Sequence, residues 1–374
     1  MRPLASAGPL PPAIPSPGPA GRTSRASRFV RFLKSHPILC LLLLSPGLPE
    51  YLSSSSSITL LITVPPVFFL FLAANLGMYG PGVLLIREAK VRWGKGWTSV
   101  ILLGAAYAIL EEGVALSTMF YSKAAPVGVL GYYGHYLGVN WVWLPGIFMV
   151  HIVVSIALPI LLLDLALPET RGRSLLSERA LRWAVGILAV DIAALALFAT
   201  AVYHYFYGIP ILLVCFTVMG LLILGARHLP QGWLYPTAAR PTASPRAFAF
   251  LGLLLFPSEL LVAAFSAQAD LFPPAAILLI LFAFTLLFAW GRTHLGRTAN
   301  EAQLVAFAGG VLAPIAFFGL LAALPVPVVL ALDLLLAYFL YRLWKSYGAT
   351  SSSLGPAAPP LPPVPAGASW ELRF

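Results

Sequence analysis

Charge is what this chain has least of. Only 10% of its 374 residues are Asp, Glu, Lys or Arg, while 59% are hydrophobic and the mean hydropathy is +0.88. No water-soluble domain of this size has that composition, so the chain reads as a polytopic membrane protein. Cysteine is scarce as well. Cys40 and Cys215 lie in separate apolar runs and form no CxxC, which excludes a disulfide framework and leaves two small buried hydrophobes. Lysine is rarer than arginine, 5 against 18. With so much Ala, Leu and Pro, that bias gives the chain the look of a prokaryotic multi-pass protein from a GC-rich genome. No Walker motif, GxGxxG, HExxH, GxSxG or zinc-finger spacing occurs, which argues against an ATPase, a Rossmann enzyme or a zincin. The sequence therefore names no cofactor and no metal.

What is present is alternation. Apolar spans fall at roughly 58–80, 97–121, 141–167, 183–206, 209–226, 247–269, 275–291, 302–323 and 326–343. Every second connection is basic: Arg87, Lys90, Arg92 and Lys95; then Arg171, Arg173, Arg179 and Arg182; then Arg227, Arg240 and Arg246; then Arg292 and Arg297; and finally Arg342 and Lys345. The positive-inside rule places these connections in the cytoplasm. The net charge of +10 is thus a property of loops beside a lipid bilayer, and no nucleic-acid partner is expected.

The first span then runs inward, so a basic N-terminus on the same side needs one more crossing before Ser53. Residues 29–48 are expected to supply it as a short helix. This gives an all-α bundle of about ten spans in the cell membrane, with both termini cytoplasmic. The alternative is nine spans with residues 1–50 outside. A signal peptide is disfavoured by the short apolar run Ile38–Leu44 and the lack of a small-residue cleavage site. Residues 1–28 and 348–374 are rich in Pro and Ala and are expected to be disordered tails around a helical domain at 29–347. Trp93, Trp97, Trp183, Trp290 and Trp344 fall at expected inner boundaries, and Trp141, Trp143, Tyr203, Tyr205 and Tyr207 at outer ones. The outer segment Gly131–Trp143 is expected to fold as a cap.

Ionisable residues inside the bilayer are costly and mark function more often than those in soluble cores. Glu111 and Glu112 sit in the middle of the 97–121 span, and His151 lies in the next. Glu111 and His151 are each ten residues from the outer end of their span, so both lie roughly 15 Å deep on consecutive antiparallel helices. A carboxylate and an imidazole at matched depth are candidates for an acid–base pair, a metal site or a proton relay. Adjacent glutamates point about 100° apart around a helix, so the two should not share one direction. Gly104, Tyr107 and Thr118 are expected on the Glu111 face, Ala105, Ala108 and Met119 on the Glu112 face, and Ser155 one turn beyond His151. A third histidine, His204, stands among Tyr203, Tyr205 and Tyr207, where an interfacial aromatic cluster is the simpler reading. Asp191, Glu259 and Asp333 are lone acids in later spans and equally suit helix pairing.

The order Glu-Glu, His, His resembles the CAAX-protease and bacteriocin-processing (CPBP, or Abi) family of intramembrane proteases, which carries EExxxR, FxxxH and HxxxN on successive helices. Glu111-Glu112 matches the first motif, His151 the second, 39 residues after Glu112, and His204 the third, 53 residues further on. Leu116 stands at the arginine position, Ile147 at the phenylalanine position and Gly208 at the asparagine position. The resemblance implies peptide hydrolysis by water activated between the glutamates and histidines, with His204 as an oxyanion stabiliser.

Three functions compete. A hydrolase requires Glu111, Glu112 and His151 to converge. A proton- or ion-coupled transporter requires a polar path to both faces; proline-interrupted spans at Pro65-Pro66 and Pro257 suit it. A non-catalytic scaffold requires dry, helix-paired acids.

Overall fold

The computed structural model describes residues 32, 35–54, 58–230, 235–298, 300–322 and 327–351. The expected tail at 1–28 lies outside these residues, as does the other tail beyond 351. The described chain is helical throughout, apart from short turns and a two-residue hairpin, β1 (His135–Tyr136) and β2 (Val139–Asn140). Its main helices are α1 (Pro37–Tyr51), α2 (Pro65–Arg92), α3 (Trp97–Ala115), α4 (Trp143–Ala166), α5 (Glu178–Tyr203), α6 (Ile209–His228), α7 (Pro245–Gln268), α8 (Pro273–His294), α9 (Glu301–Ala322) and α10 (Pro327–Ser351). Among the described residues eight of them, α2 to α9, are long and apolar enough to cross a membrane. That is two fewer than the sequence led us to expect; α1 and α10 are not among the eight. The C-terminal tail expected from residue 348 begins inside α10.

Local chemistry sets the helix starts. Pro65, Pro210, Pro245 and Pro273 occupy first-turn positions, where the missing N–H costs nothing. Ser177 and Ser244 cap α5 and α7 by accepting from the amides of Ala180 and Ala247. α3 and α4 form the centre, with 78% and 67% of their apolar windows buried, against 11% for α5, α6 and α8. The poorly buried helices present apolar surface outward, as lipid-facing helices do. Small residues allow the closest crossings. A Cβ on Gly252 of α7 would lie 2.3 Å from the Phe307 carbonyl oxygen, and one on Gly310 of α9 would lie 2.0 Å from that of Ala249. Gly104 lets α3 rest on the backbone of Ile152 in α4.

The basic connections gather at one end of the bundle. α2 does not stop near residue 80; it runs twelve residues further to Arg92, so Arg87, Lys90 and Arg92 are helical rather than loop residues. Their partners explain the extension. The Arg87 guanidinium is buried and donates to the carbonyls of Thr170 and Arg173. Glu88 accepts from Ser174 and the Leu175 amide. Lys90 pairs with Asp164 at 3.1 Å, and Arg92 with Glu88 and Glu178. α3 is shorter than expected: it ends at Ala115, and Ser117 turns the chain with φ 60°. At the opposite end the 116–142 connection folds into turns, a 3-10 turn and the hairpin. Asn140 ties it together by donating to the carbonyls of Thr118 and Tyr121.

Candidate functional site

Glu111, Glu112 and His151 meet in the interior between α3 and α4. The imidazole is clamped from both edges. Its Nε2 lies 2.8 Å from Glu112 Oε1, and its Nδ1 lies 3.2 Å from Glu111 Oε2. All three side chains are buried, Glu111 at 1% and His151 at 2% exposure. Neither glutamate has an ion-pair partner other than His151 among the described residues.

The two adjacent glutamates, expected to point in different directions, both reach the one imidazole, for two reasons. First, residues Ile109–Ala115 are π-helical, as are Val150–Ala157 around His151. The extra residue per turn rotates side chains away from α-helical directions, and such segments recur at functional sites. Second, the imidazole offers nitrogens on two edges, so the glutamates approach it from different sides. The same distortion moves Thr118. Its hydroxyl donates to Glu112 Oε2, so Thr118 belongs to Glu112 and not to the Glu111 face. Both Glu112 oxygens are thereby engaged. Glu111 Oε2 makes no well-aligned hydrogen bond beyond its 3.2 Å approach to His151 Nδ1, and the Tyr107 hydroxyl faces Glu111. Ser155 Oγ lies 3.3 Å from His151 Nδ1, as the one-turn spacing suggested.

Aromatic rings wall the imidazole. Tyr107 packs edge-on to it at 5.9 Å between centroids, and Tyr79 stacks on it at 6.3 Å. Glu111, Glu112 and His151 are also the one group of three potential metal ligands found among the described residues, their ligand atoms lying within 4.8 Å of one another. Two carboxylates and an imidazole nitrogen are a donor set that a divalent metal ion would accept. Carboxyl, imidazole and carboxyl stand within hydrogen-bond reach of one another, an arrangement that can hold and move protons.

His204 does not join them. It is the exposed, left-handed C-cap of α5, with φ 49°. Its neighbours stack on the chain after α3 instead, Tyr121 with Tyr203 and Tyr205, and Phe120 with Tyr207. Burial pushes the Tyr207 phenol up to about 12. Asp191 lies against Gly77 of α2, and Glu259 against Gly146 of α4; each occupies its own helix seam.

No family model matches the chain, and no curated protein or solved structure is significantly similar to it. These comparisons give the likeness to the CPBP family no support.

Sequence reasoning missed Tyr79 and Glu50, whose hydroxyl and carboxylate meet at 2.7 Å beside this cluster. Glu50 had a signal: it is an acid enclosed between two apolar runs. That stretch was read as a connection, so its carboxylate was passed over. On the other side of α3, facing α5 and α6, an apolar hollow of about 460 Å³ is lined by Leu110, Val114, Ser117, Ile192 and Phe216 among others.

Proposed function

We propose that this chain is an intramembrane hydrolase in which Glu111, His151 and Glu112 supply acid–base catalysis. The observation that supports this most is the imidazole held between two carboxylates in a buried site. Glu112, with both oxygens engaged, orients the ring. Glu111 serves as the base that takes a proton from attacking water. His151 passes that proton to the leaving group, with Glu112 stabilising the imidazolium. The Tyr107 hydroxyl is placed to donate to the charge that develops on the attacked carbonyl. Such a site suits a peptide or ester bond presented within the bilayer. His204 carries no role in this scheme.

Transport of protons is the second reading, favoured by the buried acids Asp191 and Glu259 on seams of the same helices. The polar chain argues against it. From the exposed end it runs through His135, Asn140 and Thr118 to Glu112 and His151. From Tyr79 to Arg87, roughly 12 Å along α2, the interior is filled by Val83, Leu84, Leu103, Ile156 and Ile160. A path open to one face suits an enzyme better than a transporter.

In this reading α1 and α10 also cross the membrane. α1 lies along α2, with Leu42 against Gly80 and Tyr51 bonded to Asn75. α10 reaches from Val329, beside Tyr51 and Phe68, to Tyr347, bonded to the Leu165 carbonyl near the basic end. Ten crossings then put both termini on the cytoplasmic side of the cell membrane.

The test compares membranes containing wild-type chain with membranes containing Glu111→Gln or His151→Gln, using mass spectrometry to detect new peptide termini and released lipid fragments. Products present only with wild type support hydrolysis. Identical spectra from three folded proteins refute it.

A further inference from the structure

Three segments of the described chain are π-helical: Gly47–Tyr51, Ile109–Ala115 and Val150–Ala157. The second carries Glu111 and Glu112, and the third carries His151. The first carries Glu50. We infer that Glu50 is a third carboxylate of the same site, joined to it through the Tyr79 hydroxyl, and that it exchanges protons with Glu111.

Contacts support this independently of the helix type. Tyr79 donates to Glu50 Oε1 at 2.7 Å while facing Glu111 on its other side. The Tyr79 ring stacks on the His151 ring. Ser45, one turn before the π segment, is fully buried and bonds at 2.8 Å to the carbonyl of Ser155 on α4 and at 3.2 Å to that of Tyr79. These bonds hold α1 in fixed register against α2, which carries Tyr79, and α4, which carries His151. Glu50 itself is partly exposed, whereas Glu111 and Glu112 are buried. It is therefore the least enclosed carboxylate of the three. A phenol between two carboxylates conducts a proton by accepting from one side as it donates to the other, with no net chemical change. The titratable groups around Glu50 are Tyr79, Tyr107, Glu111, Glu112 and His151, with Tyr51 adjacent in the chain.

The inference rests on the reading of Glu111, Glu112 and His151 as a proton-handling site, and its test needs no substrate. A hydrophobic carbodiimide reacts with protonated carboxyl groups from within the bilayer. The full-length protein in native membranes is treated with it across a pH series, and adducts are located by peptide mass spectrometry. Groups that share protons titrate together, with couplings on the order of one pH unit. Glu50→Gln should therefore move the midpoint of labelling at Glu111 or Glu112 by about one unit. Glu50→Asp, which draws the carboxylate back from Tyr79, should move it less. In a Tyr79→Phe background the Glu50→Gln shift should disappear. If Glu50→Gln leaves the midpoint unmoved in folded protein, Glu50 is outside the site. If the shift survives in Tyr79→Phe, the link does not run through the phenol, and the inference is overturned. A coupled profile in a chain without hydrolytic products would keep Glu50 in the site and remove the hydrolase. Products without coupling would do the reverse.

Discussion

Replacing His151 with leucine tests whether charge balance at the clamp sustains the fold. The imidazole is the partner that both buried glutamates share. Its loss leaves two carboxylates in the interior without a cation. Removing one partner of a buried ion pair costs about 3–5 kcal/mol. At roughly 2 °C per kcal/mol for a chain of this size, the melting temperature should fall by about 6–10 °C. The informative step is the next one. The triple variant His151→Leu, Glu111→Gln, Glu112→Gln also removes the charges, while a glutamine at 112 still accepts from Thr118. Neutral replacement of a buried charged group is close to energetically even, so the triple variant should recover at least half of the loss. Cys215 provides the assay, because it is buried in the fold and becomes reactive to a thiol-activated dye on unfolding. A single variant within about 1 °C of wild type, or a triple variant less stable than the single, would refute the charge-balance argument.

Further outcomes follow from packing and topology. Ala at Gly252 or Gly310 would collide with backbone across the α7–α9 crossing and should destabilise by about 1–3 kcal/mol or more. Ala at Gly186, which meets nothing, should stabilise its helix by about 0.5–1 kcal/mol; equal melting temperatures for the two classes would contradict the packing. Arg87→Met, which leaves Glu88 and the Thr170 and Arg173 carbonyls short of a donor, should cost about 3 kcal/mol in the same assay. In a background without Cys40 and Cys215, a cysteine at the exposed Tyr132 should react with an impermeant thiol reagent on intact cells, and one at the exposed Arg173 only after lysis. The reverse pattern would invert the orientation.

Composition and loop charge were enough to establish an all-α membrane protein, because the bilayer demands long apolar helices and translocation sorts basic loops, and both leave marks in local sequence. The cost of burying acids likewise singled out Glu111, Glu112 and His151. What those residues do to one another was decided only in three dimensions. Two adjacent glutamates reach one imidazole because π-helical turns break the periodicity from which their directions were read. Thr118 joins Glu112 because α3 ends before it and the chain folds back at Ser117. Arg87 is an interior residue because the 168–178 segment supplies its carbonyl partners. His204 has the right residue type and order for a site, yet a left-handed cap at the end of α5 leaves it exposed. Glu50 enters through the packing of α1 on α2 and α4. Residue type and spacing are local properties of the chain, whereas the meeting of side chains from three separate helices depends on crossing geometry that only the packed bundle defines.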